Sequence, residues 1–287
     1  LMCKDDGMVM DDGVTTRLAD DHFHMTTTTG GAAGVLHWLE EWLQTEWPEL
    51  KVYLTSVTEQ WAVATLSGPA AKEILNAAGT DISLNNEGFK FMSMREGHVS
   101  GLPARIYRIS FTGELSYEIN VPARYGMALW TTLMRAGKEF GITPYGTEAM
   151  HVLRGEKGFI IVGQETDGTV TPHDLGMSWI VSDKKPDFIG KRALARQAME
   201  ADDRKQLVGL KTKDPKKVIP EGAHATLDPH QPPPVDMLGH VTSSYFSPNL
   251  GLSVAMALLR AGHSRMGQTV YFPMLDGSPP IEATITN

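Results

Sequence analysis

The chain has 287 residues, 41% of them hydrophobic and 21% charged, with a formal net charge of −8. That length can bury a core without disulfides or metals, and the acidic balance argues against a nucleic-acid partner. The single cysteine, Cys3, excludes an internal disulfide and a multi-cysteine zinc site, and it suits a reducing, cytoplasmic compartment. No apolar run approaches the ~20 residues of a membrane span, so no membrane partner is expected. No signal peptide is visible, and Leu1 already lies in a strand-like pattern, which reads as a piece of a longer protein.

Residues 8–18, "MVMDDGVTTRL", alternate as a strand does. The even row (Met8, Met10, Asp12, Val14) is the more apolar, which predicts Asp12 facing inward and Asp11 outward. A carboxylate on a core-facing row costs free energy unless it is paired, and such positions are enriched in function. The bland alternative is a strand ending at residue 10, with both acids in a solvated turn.

The next stretch reads as strand, glycine turn and amphipathic helix, with Leu36, Leu39, Trp42 and Leu43 on one helix face. Its "TGGAAG" puts Thr29, Gly31 and Gly34 at the three glycine positions of a dinucleotide fingerprint. The first glycine is missing, so no nucleotide site is expected. His22 and His24 share a strand face but have no third ligand, so no metal site is expected.

"WAVATLSGPAAKEILNAAG" predicts a strand, a turn and a helix, with Pro69 in the first helical turn and Gly79 closing the end. "ARIYRISFTGELSYEINVP" predicts a β-hairpin around Gly113 and Glu114. On its second strand Glu118 falls in the polar row with Ser116 and Asn120, which alone reads as one more solvated acid. A second amphipathic helix follows, closed by Gly141, then a stretch beginning "YGTEAMHVLRGEKGFIIVG" that runs through a helix and glycine turns into a strand at "MSWIV", and a short helix in "DFIGKRALARQAME". From about residue 205 six short strand-like runs follow with no intervening helix, which indicates a closed or nearly closed β-domain. The expected fold class is therefore α+β, with a body over 1–205 and a β-barrel over 206–287. No Ser-His-Asp signature, P-loop or metal-ligand cluster is present.

Six stretches in order, "DGMVMDD", "FTGELSYEI", "TVTPHDLGMSWIV", "FIGKRAL", "LVGL" and "GHVTSSYFSPNLGLSVAMALL", resemble the folate-dependent aminomethyltransferase family. Within it, residues 146–194 are similar to the subgroup formed by the C-terminal half of the sarcosine oxidase alpha subunit. The resemblance implies two intertwined ferredoxin-like units and a C-terminal barrel. It implies tetrahydrofolate as the small-molecule partner, with FAD/FMN and NAD only in other regions or subunits, and other sarcosine oxidase subunits as partners. The family's acid near folate N10 falls on Asp12, and its pteridine-binding glutamate falls on Glu118. Thr28 stands where the family has an asparagine toward the folate, and Tyr245 is a further candidate for lining the folate pocket. Met150 replaces a family arginine. That departure weighs against the alternative of a stand-alone glycine-cleavage T-protein; a folate-fold scaffold without catalysis is the other alternative.

The residue types suit this chemistry. A carboxylate accepts from the adjacent amino and ring N–H groups of a pterin at once, with charge assistance. A second carboxylate can take the proton that a folate nitrogen sheds as it attacks a methylene iminium.

Overall fold

The computed structural model describes Leu1–Asn287, which form two compact units: Leu1–Val14 with His151–Asn287, and Thr15–Met150. The chain opens in the first unit with β1 (Met2–Cys3) and β2 (Val9–Asp11), paired antiparallel with Met2 opposite Asp11.

The second unit then begins with a hairpin of β3 (Thr15–Ala19) and β4 (His22–Met25), followed by helix α1 (Ala32–Thr45). Strand β5 (Trp61–Ser67) and helix α2 (Ala71–Ala77) come next. Pro69 does not occupy the first helical turn; it lies in the turn before the N-cap, Ala70, because β5 runs on to Ser67 and the chain must still reverse. The C-terminal end of α2 closes as predicted, with Gly79 N–H donating to the Asn76 carbonyl. Strands β6 (Ser93–Val99), β7 (Leu102–Arg108) and β8 (Ser116–Pro122), then helix α3 (Gly126–Ala136), complete the unit.

The four strands form an antiparallel sheet in the order β5-β8-β7-β6. The β7–β8 hairpin is the predicted one, turning through Gly113 at φ +79°, a conformation that suits glycine. One face of the sheet supplies Leu66, Ile106, Tyr117, Ile119 and Val121 to a core with Ile74 and Leu75 of α2 and Leu129 and Leu133 of α3. Each fully buried large apolar side chain there contributes about 1.5–3 kcal/mol. The opposite face carries Glu118.

The chain returns to the first unit through helix α4 (Thr147–Glu156) and the short helix α5 (Lys191–Leu194). "MSWIV" is not a strand. Residues Ser178–Ile180 form a 3₁₀ turn, closed locally by Met177 N–H to Pro172 O and Ile180 N–H to Met177 O.

The six late runs are all strands: β9 (Lys205–Thr212), β10 (His224–Ala225), β11 (Gly239–Ser247), β12 (Leu252–Arg260), β13 (Thr269–Phe272) and β14 (Ile281–Thr286). Their order is β10-β11-β12-β9-β14-β13. Reciprocal bonds between Thr226 and Tyr271 join the two edges and close the barrel. Alternate residues, such as Ala255, Ala257 and Leu259 on β12 or Ala283 and Ile285 on β14, fill its interior. Leu258, on the other face of β12, packs with Val9, Ile160, Val170 and Leu175. Burial on both faces is why β12 reads as a continuous apolar run.

Gly239 holds β11 against β12 at φ +154°, and a Cβ there would lie 1.9 Å from the Leu258 carbonyl oxygen. Gly239→Ala is expected to lose at least about 1–3 kcal/mol through overpacking, read as a lowered Tm.

Candidate functional site

Strand β2 delivers the paired acids. Val9 and Asp11 share a face and are buried, at 4% and 2% exposure, whereas Met8, Met10 and Asp12 are only half-buried. The inward row is thus the odd one, the reverse of the expectation. Val9 decides it: its N–H bonds the Val170 carbonyl at 2.9 Å, and its side chain enters the cluster with Ile160, Leu175 and Leu258. Asp11 does not merely solvate a turn. Its Oδ1 accepts the Asp12 N–H at 2.7 Å.

Asp12 leaves the end of this strand with a carboxyl that has no hydrogen-bond or ion-pair partner within the first unit. Burial raises its pKa above the ordinary aspartate range, and the neighbouring Asp11 raises it further. Such a carboxyl is a better proton acceptor than a solvated one.

Glu118 sits mid-strand in β8, opposite Thr65 of β5 and Tyr107 of β7. The polar row is not solvated as expected: Ser116 and Asn120 are buried at 2% and 4% exposure, and Ser116 Oγ shares a 2.7 Å hydrogen bond with Ser67 Oγ. The β3–β4 hairpin reaches this face of the sheet, with the His24 ring edge-on to Trp61 at 6.0 Å. Arg105 lies over the Trp61 ring at 4.6 Å and pairs with Glu96 at 2.8 Å, so its charge is engaged away from Glu118. Burial alone raises the Glu118 pKa. Burial also raises that of the Tyr107 hydroxyl, partly offset by Thr16. Within the second unit the Glu118 carboxyl has no hydrogen-bond or ion-pair partner. A half-buried acceptor with two open oxygens fits a ligand edge that presents adjacent N–H donors.

The other two candidates are engaged locally. Thr28 lies between β4 and α1, where its Oγ1 accepts the Gly31 N–H at 3.1 Å and shapes the turn into the helix. Tyr245 on β11 is buried, and its hydroxyl receives Arg154 Nη2 at 3.0 Å. It belongs to a network without a signature in the sequence, centred on the fully buried pair Arg154–Glu165 at 2.9 Å. Glu165 also accepts from the Ile161 N–H at 2.7 Å and from Ser243 Oγ. Arg154 also donates to the Phe159 carbonyl, Gln164 Oε1 and Ser243 Oγ. The pair is separated by 11 residues and the serine by 89 from the arginine, so no spacing rule finds it.

Met150 lines a cavity of about 480 Å³ in the second unit, with Ser67, Ile74, Trp130, Leu133 and Thr147 among the other walls. None of the lining residues is charged. An arginine at this position would find no counter-charge there, which accords with the apolar replacement.

The α+β unit and the C-terminal β-barrel are those of an aminomethyltransferase-type fold. Residues 1–185 match the GCVT N-terminal domain and residues 205–287 match the glycine cleavage T-protein C-terminal barrel domain. The chain belongs to this family. It is 31% identical over 269 residues to an aminomethyltransferase of Halothermothrix orenii, covering 94% of this chain and 71% of the relative. It is 54% identical over 277 residues to the sarcosine oxidase subunit alpha of Corynebacterium sp. (strain P-1), and 43% identical over 279 residues to that of Rhizobium meliloti. These matches cover 96% and 94% of the chain but only 28% and 27% of the relatives, so the chain spans under a third of their length. The structure of glycine cleavage system aminomethyltransferase T from Bartonella henselae superposes with a TM-score of 0.83 at 24% identity, covering 100% of this chain and 73% of that one, which establishes the shared fold. No helix is long and apolar enough to cross a membrane, and no group of three or more His, Cys, Asp or Glu side chains is arranged to hold a metal ion.

Proposed function

We propose that the chain is a tetrahydrofolate-dependent one-carbon transfer module of a sarcosine oxidase. It takes the methylene iminium formed by sarcosine oxidation and yields glycine and 5,10-methylenetetrahydrofolate. FAD or FMN and NAD act in other regions or subunits, and those subunits are its protein partners. The observation that carries the reading is the state of the two acids: Asp12 and Glu118 are each half-buried, neither carboxyl has a hydrogen-bond or ion-pair partner in its own unit, and burial raises the pKa of both.

Glu118 serves as the pterin acceptor, its carboxylate oxygens taking the adjacent amino and ring N–H groups. The folate supplies two nitrogen nucleophiles, each with one N–H, that together capture the methylene carbon. Asp12 serves as the proton carrier. It takes a proton from an attacking nitrogen and returns it to the amine nitrogen as the bond from the methylene carbon to that nitrogen breaks. The protonated imine and the two N–H groups account for all three protons on the ammonium of glycine, so no proton is left over. Thr28 and Tyr245 are assigned a place beside the folate, Thr28 by its hydroxyl in place of an amide and Tyr245 by its ring.

The test is folate affinity in Glu118→Gln, followed by tryptophan fluorescence. Losing a charge-assisted acceptor of about 1.5–3 kcal/mol weakens binding by roughly 10- to 150-fold. Wild-type affinity falls with acid as Glu118 takes up a proton, at a pH above the ordinary glutamate range because its pKa is raised. That dependence vanishes in the glutamine variant. The same substitution stabilises the folded chain at neutral pH. A carboxyl whose folded pKa lies above its unfolded value favours folding only when protonated, so the charged form is a penalty the amide lacks. An affinity unchanged by Glu118→Gln would contradict the assignment.

A further inference from the structure

Resting on the proton-carrier role proposed for Asp12, we infer that Asp11 is its positioning residue. The buried Asp11 carboxylate holds the Asp12 backbone N–H and so sets the direction in which the Asp12 carboxyl leaves the strand. The two acids have opposite fates on one strand. Asp11 shares the face of Val9, is 2% exposed, and lies opposite Met2 in the β1–β2 ladder. Asp12 is the first residue beyond β2, where the ladder no longer restrains the backbone. The 2.7 Å bond from its N–H to Asp11 Oδ1 supplies that restraint. Anchoring comes from Val9, fixed to Val170 through its N–H and packed in the apolar cluster. The chain therefore passes rigidity outward in three residues, from core valine to buried acid to working acid. Burying a carboxylate is costly, and a site that needs only a solvated turn has no use for one.

The test separates acceptor from charge, using methylene transfer by the full-length protein that contains this chain. Asp11→Asn keeps an oxygen acceptor at the same place, whereas Asp11→Leu keeps the branched shape and removes the acceptor. Asp11→Leu is expected to lower kcat on the order of 10²-fold, the scale of a misplaced catalytic group, with tetrahydrofolate affinity unchanged. Asp11→Asn is expected to keep most of kcat and the wild-type affinity, with the acid limb of the rate moved to lower pH because the Asp11 charge no longer raises the Asp12 pKa. An unchanged kcat in Asp11→Leu, or a loss in Asp11→Asn as large as in Asp11→Leu, overturns the inference. Should the leucine variant fail to fold, Asp11→Asn decides: retained kcat supports the acceptor role and lost kcat overturns it. Asp12→Asn, measured alongside, isolates the parent reading: if that variant transfers normally, the role of Asp12 fails whatever Asp11 does.

Discussion

Replacing Asp12 with asparagine is expected to slow methylene transfer by about 10²–10⁴-fold while leaving tetrahydrofolate bound as before. Asparagine matches aspartate in shape, so the walls around position 12 are undisturbed. What it lacks is the ability to accept a proton. The raised pKa of Asp12, from burial first and Asp11 second, makes the wild-type carboxylate a stronger base. The same shift makes wild-type transfer fade with acid at a pH above the ordinary aspartate range. In the asparagine variant that acid limb disappears together with the rate. Single-turnover transfer across a pH series, with folate affinity measured on the same samples, checks both statements. A variant with full rate would show that some other group moves the proton.

The second large effect concerns stability. Arg154→Met is expected to destabilise the first unit by about 3–5 kcal/mol, because it leaves Glu165 buried at 0% exposure without its cation. The loss is not the worth of the ion pair itself. Arg154→Met combined with Glu165→Gln removes both charges and is expected to recover much of the loss. Denaturant unfolding midpoints of the two single variants and the double variant give the coupling. If the double variant is as unstable as the sum of the singles, the pair is not the source of the effect. The network spans α4, the loop after it and β11, through Arg154, Glu165, Ser243 and Tyr245. Its rupture therefore separates the helix from the barrel, and Tyr245 loses the donor that orients its hydroxyl.

Most of the fold was legible because its signals are local. The glycine turn at Gly113, the period-2 strands and the six late runs each announce an element within ten residues. What failed was the choice of strand face. On β2 the even row holds two methionines and looked the more apolar, yet the odd row is buried. The deciding contacts come from Ile160, Val170, Leu175 and Leu258, at least 150 residues along the chain. Glu118 failed for a related reason. Its row is polar, and only the burial of Ser116 and Asn120 on either side of it in the row shows that the row is not open to bulk water. "MSWIV" failed because strand propensity cannot act without a neighbouring strand. Local bonds to Pro172 and Met177 turned it into a 3₁₀ segment instead. The candidate acids themselves came from ordered motifs that resemble a family, and alternation alone could not have chosen between Asp11 and Asp12.

The most direct measurement follows the methylene carbon of sarcosine in the full-length protein as tetrahydrofolate is added. An iminium left to water gives free formaldehyde, whereas an iminium taken by the module gives 5,10-methylenetetrahydrofolate. The account predicts that formaldehyde release falls as folate saturates the protein, and that Glu118→Gln and Asp12→Asn restore it. Free formaldehyde at every folate concentration, with no saturable folate binding, would contradict the account.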